Sequence, residues 1–404
     1  MTPELNIRPD FSIFETEPEL VYLDSASTSL VPRVAVDATS EFLRNTVSST
    51  RRGAHHLAVH ASTMVEDVRN SLASFFDTDK SQISFQKSIP TTVASLTYGL
   101  DWKGTKRNKI VIAQSEEHSV MVALLRVAEL LNLEVQLVPV DDEGNLDMES
   151  LERAVDETTG IVAVNHVAVG IGTRNPIPQI AKVSHENGAL LLTDATQSAG
   201  VSEVNPSALS ADVILFSANI GLMAPPGLVI QWIDKSIGEN HRPGILGGSA
   251  VADVMHGSFE LAFQPDKFES GMLNVPAIAG LGASLEYLRQ LQARGLARYM
   301  NEISSYMIGR LSEMQTLTLY GNRNENNTIV GFNVGAENGM NCHEVALFLD
   351  DSNIAVRSGL VCAHPLIKPM SEEGIIQASL HAYNSISDID RFVDSLQTIV
   401  RELL

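Results

Sequence analysis

The feature that most constrains this 404-residue chain is a rhythm in its middle, where unbroken apolar runs alternate with stretches of helical periodicity. Residues 109–113 (KIVIA), 134–139 (EVQLVP), 161–165 (IVAVN), 189–193 (ALLLT), 213–216 (VILF) and 228–232 (LVIQW) each read as strands. Residues 119–131, 147–155 and 177–186 between them space their apolar side chains for one face of a helix. The last of these stops at Asn187-Gly188, where glycine accepts the left-handed cap conformation. A strand that is apolar on both faces has to be covered on both faces, which predicts a mostly parallel sheet between helical layers. Ligands of such sheets sit beyond the carboxyl ends of the strands, so the residues that follow each strand carry the functional information.

From about Pro276 the pattern changes. A helical run over 277–296 leads to an Asn-rich loop at 321–327, a strand at 329–334, a helix at 343–349, a short strand at 354–356 and an extended stretch at 376–383. The end of the chain reads as a helix with Ile389, Phe392, Val393, Leu396, Ile399 and Val400 on one face, and Ser387 and Asp390 have the spacing of a capping box at its start. The expected organisation is a large α/β domain over 20–275 and a smaller α+β domain built from 1–19 with 276–404.

Asp and Glu outnumber Lys and Arg by 49 to 28, a formal net charge of −21. Such a surface repels phosphate backbones and anionic membranes, so neither nucleic acid nor membrane is an expected partner. No stretch approaches the roughly 20 apolar residues of a membrane span, and the first residues lack the basic start and apolar core of a signal peptide. With only Cys342 and Cys362 in the chain, a disulfide framework is excluded and a reducing, cytoplasmic setting is expected. The His55-His56 pair with His60 lacks a complete ligand set at metal spacing, so no zinc site is expected.

Several segments, in order, resemble the class V aminotransferases and most closely the cysteine desulfurases: YLDSAST from Tyr22, RRGAHHLAVHAS from Arg51, EEHSV from Glu116, NHVAVGIGTRNPI from Asn165, TDATQSAG from Thr193, ADVILFS from Ala211, FESGMLNVP from Phe268, AVRSGLVCAHP from Ala355 and QASLHAYNS from Gln377. The likeness spans nearly the whole chain. It implies a fold-type I, pyridoxal-phosphate-type α/β fold and a homodimer, or a heterodimer with a related subunit. By the same resemblance Asp194 stands against the cofactor's pyridinium nitrogen, Gln197 beside its phenolic oxygen, and His118 where an imidazole stacks on the ring and shuttles protons. Cys362 occupies the place of the persulfide-forming nucleophile, with Arg357 as a site arginine. Taken singly, Asp194 also reads as a helix cap, and Cys362 as a buried small hydrophobe; Cys342 reads as structural.

The departures from the family pattern are as informative as the matches. Where the family reads Ser-x-His-Lys, this chain reads Ser217-Ala218-Asn219-Ile220, so Ile220 stands in place of the lysine that ties the cofactor to the protein. Isoleucine has no nitrogen and serves neither as covalent anchor nor as base. Lys235 comes after the next strand, and Lys182 belongs to a different helix. Ile89 and Pro90 fall on the hydroxyl positions of the phosphate cup, although a shift of one residue brings Thr91 or Thr92 there. Asn219 replaces a histidine, Val169 an asparagine, Met272 a threonine, and Gln377 the arginine that clamps the substrate carboxylate. Three readings follow. The first is a degenerate desulfurase-like subunit for sulfur transfer or iron–sulfur assembly, with a sulfur-acceptor protein as partner and pyridoxal phosphate weakly held, non-covalent or absent. The second is a working enzyme that holds the cofactor without a lysine, through Asp194, His118, Gln197 and Ser217. The third is a small-molecule binding protein that uses the vacated cleft.

Overall fold

The apolar runs assemble into one sheet in a computed structural model that describes residues 5–202, 204–322, 327–335 and 339–403. Seven strands lie side by side in the order Ile83–Gln86, Val229–Ile233, Val213–Ser217, Leu190–Asp194, Thr159–Asn165, Lys109–Ala113 and Glu134–Val138. The last five are mutually parallel, and Val229–Ile233 runs antiparallel to both its neighbours. Successive side chains of a strand face opposite ways, and here both ways are core. Val111, Val162, Val164, Leu191 and Ile214 pack on one face against helices His56–Phe75, Ile177–Glu186 and Val275–Ala293. Ile110, Ile112, Ala163, Leu192 and Leu215 pack on the other against helices Ile89–Tyr98 and His118–Leu131. The α/β class and the mostly parallel sheet are as expected.

A second, four-stranded antiparallel sheet, in the order Leu317–Tyr320, Ile329–Val334, Ile375–Ser379 and Arg357–Gly359, carries the C-terminal part. The amino-terminal segment is stitched into it. Val21–Tyr22 pairs in parallel with Ile354–Ala355, Ala26 N donates to Ser379 Oγ at 2.8 Å, and Arg8 reaches Asp388 at 3.4 Å.

Three expectations need correction. The helical run at 277–296 ends at Ala293, because Gly295 takes φ 93°, a left-handed turn the apolar periodicity does not reveal, and a second helix, Leu296–Ser312, follows that was not expected. The extended stretch at 376–383 ends at Ser379. The short strand expected at 354–356 is present as Ile354–Ala355, and a further strand, Arg357–Gly359, follows it in a different sheet. Finally, the last helix is capped two residues earlier than Ser387: Ser385 N donates to Asp388 Oδ2 at 2.9 Å, and Asp388 N to Ser385 Oγ at 3.1 Å. Ser385→Ala should lower stability by about 1 kcal/mol in urea unfolding, while Ser387→Ala should leave it within a few tenths. Of the Asn-rich loop at 321–327, residues 323–326 lie outside the described residues.

Candidate active site

A cleft of 470 Å³ opens beyond the carboxyl ends of strands Leu190–Asp194 and Val213–Ser217, where a doubly wound sheet places its ligands. Asp194, Gln197, Ser217, Arg357 and Cys362 all line it, so the structure brings together five of the residues singled out in the sequence. Ile220 lines it too, 8% exposed. Its place is fixed by backbone contacts on either side. Ser29 N donates to Asn219 O at 2.9 Å, and a Cβ on Gly221 would lie 2.0 Å from Ala199 O, so only glycine passes there. Val169, Val167 and Ile89 complete an apolar wall, and none of the lining residues is a lysine. Lys182 and Lys235 are instead exposed and face Glu186 and Glu239 on their own helices.

Asp194 ends its strand almost fully buried, with Thr196 N donating to its Oδ1 at 2.8 Å. Burial pushes its pKa up to about 6, and the nearby Glu117 adds to the shift. Glu116 beneath it is wholly buried and raised well above the usual carboxylate range, first by burial and then by Asp194. Its Oε1 accepts from Glu117 N at 3.1 Å, and its Oε2 has no hydrogen-bond partner among the described residues. Gln197 Nε2 donates to Ala26 O at 3.0 Å, which ties the cleft to the amino-terminal segment. A buried amide network below the strand ends escaped the sequence reading: Asn175 Nδ2 and Ser115 Oγ both donate to Asn165 Oδ1 at 2.9 Å. Asn165 at the tip of an otherwise apolar strand was the available signal.

Cys362 is exposed and Cys342 is buried. Arg357 Nη2 donates to Cys362 Sγ at 2.8 Å, and its Nη1 to Ser27 Oγ at 3.4 Å. The turn that carries the thiol is strained. Val361 and Cys362 sit consecutively at φ 40° and 58°, a region unfavourable for any side chain and more so for a β-branched one. Such residues cost about 1–3 kcal/mol each and persist where their surroundings over-determine them.

Two sequence-derived site residues, Thr91 and His118, and two of the replaced positions, Gln377 and Met272, do not line this cleft. Thr91 is exposed and accepts from Ser88 Oγ at 2.9 Å; Ser88 caps its helix. His118 is not among the lining residues. It lies at the thiol turn, its ring 4.4 Å from that of His364. Gln377 stands opposite Arg357 across two strands, fully buried, with neither amide atom hydrogen-bonded among the described residues. Met272 is exposed and lines a neighbouring groove. Among the described residues no group of three or more metal-ligating side chains occurs, and no helix is long and apolar enough to cross a membrane.

Residues 21–392 match the family model for aminotransferase class V. A protein of Pyrococcus abyssi named a probable cysteine desulfurase is 30% identical over 400 residues, covering 98% of each chain. The cysteine desulfurase of Escherichia coli (strain K12 / DH10B) is 32% identical over 404 residues, again 98% of each. The apo structure of a cysteine desulfurase from Thermococcus onnurineus NA1 superposes with a TM-score of 0.91 at 31% identity, covering 100% of this chain and 99% of that one. This chain therefore belongs to the class V aminotransferase family, and its relatives there are named cysteine desulfurases.

Proposed function

We propose that this is a cysteine desulfurase-like protein in which lysine-linked pyridoxal phosphate chemistry has lapsed, and that it takes part in sulfur transfer through Cys362. The observation that carries this reading is Ile220 in the wall of a cleft lined by no lysine.

The residues present fit the family's cofactor only in part. Asp194, Gln197 and Ser217 would suit its ring and oxygen substituents. When bound elsewhere in the family, the cofactor supplies an electron sink for chemistry at the amino acid's α-carbon. The groups that would anchor it here argue the other way. Ile220 gives no covalent tether, and Ile89 with Pro90 puts an apolar side chain and a missing amide donor where a phosphate would need hydrogen bonds. Glu117 and Asp194 set two carboxyl groups in the cleft against the single guanidinium of Arg357. By the resemblance Gln377 replaces an arginine that clamps a substrate carboxylate, and here it is buried outside the cleft, where its neutral amide supplies no such bidentate grip.

What the chain retains is a thiol against a guanidinium. An exposed thiolate beside Arg357 attacks the outer sulfur of a persulfide donor; the donor's sulfur–sulfur bond breaks, its inner sulfur leaves as a thiolate, and Cys362 becomes the persulfide. That exchange needs no external oxidant. A sulfur-acceptor protein, and a second copy or a related subunit, are the partners this reading implies.

The test has two arms. Purified protein mixed with pyridoxal phosphate, desalted and treated with borohydride should show no retained visible band and no mass adduct on a protein amine. Retention of the band would favour the second reading, a cofactor held without a lysine, for which buried Asp194 at the strand tip is the supporting observation. Separately, a low-molecular-weight persulfide should add sulfur to the intact mass of the protein, and Cys362→Ser should abolish that gain. Equal loading of the variant would overturn the acceptor role.

A further inference from the structure

The strained thiol turn raises the question of what holds it. Val361 is buried, and Gly170 leaves it room, since a Cβ there would meet Val361 Cγ2 at 2.7 Å. Ala363 N donates to Leu360 O at 2.8 Å within the turn, and Gln114 Nε2 donates to Pro365 O at 2.7 Å just beyond it. Around the thiol itself the holding group is His118, first residue of helix His118–Leu131. Its backbone N donates to Cys362 O at 3.0 Å, and its Nε2 accepts from His364 N at 3.2 Å. One residue thus holds the turn at two points just after the thiol, the Cys362 carbonyl and the His364 amide, and its ring meets the ring of His364 edge-on at 4.4 Å.

We propose that His118 is a positioning residue: its neutral imidazole clamps the left-handed turn at Val361-Cys362 and so holds the thiol against Arg357. The clamp needs a lone pair on Nε2, which fixes the proton on Nδ1. Releasing it frees the turn to relax and carries the sulfur away from the guanidinium toward an acceptor. This rests on the sulfur-transfer reading for its purpose, but not for its geometry.

Histidine's titration supplies a signature that simple packing would not. Burial lowers the pKa of His118, and the neighbouring His364 lowers it further, against an opposing pull from Glu117. The other ionisable groups at the turn are the Cys362 thiol and, beyond it, Arg357. With a depressed folded-state pKa, the clamp is complete above the ordinary histidine value of 6.5 and is lost as pH falls through the lowered one.

The test is the iodoacetamide alkylation rate of Cys362, divided at each pH by the thiolate fraction read from ultraviolet absorbance. Cys342 is buried and does not contribute. At pH 8, His118→Leu should react about fivefold faster than the wild type, the factor that the net worth of one hydrogen bond sets. His118→Gln, which can place an acceptor near Nε2, should return toward the wild-type rate. The normalised wild-type rate should rise below pH 6.5, and that of His118→Leu should stay flat. On the wild type alone, a long-range proton–nitrogen spectrum at neutral pH should show the Nδ1–H tautomer. An Nε2–H tautomer, equal rates in all three proteins, or equal acceleration in both variants would each overturn the clamp. If no protein takes sulfur from a persulfide donor while the alkylation pattern holds, the sulfur-transfer reading falls and the clamp stands. Normal loading with no alkylation difference overturns the clamp and leaves sulfur transfer standing.

Discussion

Replacing Arg69 by methionine should destabilise the protein by about 3–5 kcal/mol, read as a lower urea midpoint at unchanged slope. Arg69 is fully buried and pairs with the equally buried Glu269 at 2.8 Å; Glu66 lies at 3.3 Å, and the ring of Phe85 lies under the guanidinium at 4.6 Å. Burial opposes its charge, but Glu269 and Glu66 outweigh burial and raise its pKa. Methionine fills much of the space and leaves Glu269 with only the half-exposed Arg51, at 3.0 Å. The uncompensated carboxylate is what costs. Glu269 also accepts from Phe85 N at 2.8 Å, so the damage reaches the edge strand Ile83–Gln86 and the helix after it, whose Ile89 walls the cleft. Adding Glu269→Leu to the methionine variant should recover most of the loss. A double variant no more stable than the single one would refute this account.

The second large effect concerns Asp194. Unfolded, its carboxyl loses its proton near 3.8; folded, it holds the proton to about 6. Between those values the native state binds more protons than the unfolded one, so stability falls as pH rises through this window. At 1.36 kcal/mol per unit, a shift of about two units amounts to about 3 kcal/mol. Asp194→Asn keeps an oxygen for Thr196 N and removes the charge. Relative to the wild type, the variant should be about 2 kcal/mol more stable at pH 8 than at pH 4, where the unfolded carboxyl is already mostly ionised. Glu116, also raised by burial, should leave a residual slope in the variant. Urea unfolding at the two pH values decides it, and an unchanged difference would mean that Asp194 ionises freely in the fold.

How much of this was legible in the sequence follows from what each feature rests on. Four of the six runs sit in strands buried almost throughout, where few polar residues confuse the pattern; the edge strand Glu134–Val138 is mostly exposed and was legible only from its alternation and its place in the rhythm. The hairpin Val251–Met255 with Ser258–Leu261 went unread because it is mostly exposed and carries no such run. The Arg69–Glu269 pair joins residues 200 positions apart, a distance no local pattern spans. At the site, strand position said only where to look, beyond the ends of Leu190–Asp194 and Val213–Ser217; which of the side chains there mattered came from the family resemblance. His118 was picked out by its motif, which fixes where its backbone stands; that its Nε2 accepts from His364 N depends on the turn at Cys362, 246 positions away, which no local pattern reveals. The same limit holds at Thr91, whose exposure and contact with the capping Ser88 follow from how the helix starts and not from the motif.

The stitching of the amino-terminal segment into the C-terminal sheet also sets the order in which the chain can finish folding. Ala26 waits for Ser379, 353 positions downstream, and Tyr22 for Asn384, 362 positions downstream. During synthesis the large sheet can close on the ribosome, but Gln197, the cleft residue bonded to Ala26 O, keeps an unanchored partner until the last strand emerges. A nascent chain stalled before residue 375 should therefore carry a formed sheet beside an unfinished cleft, with the apolar side chains of Val21 and Leu23 offered to chaperones.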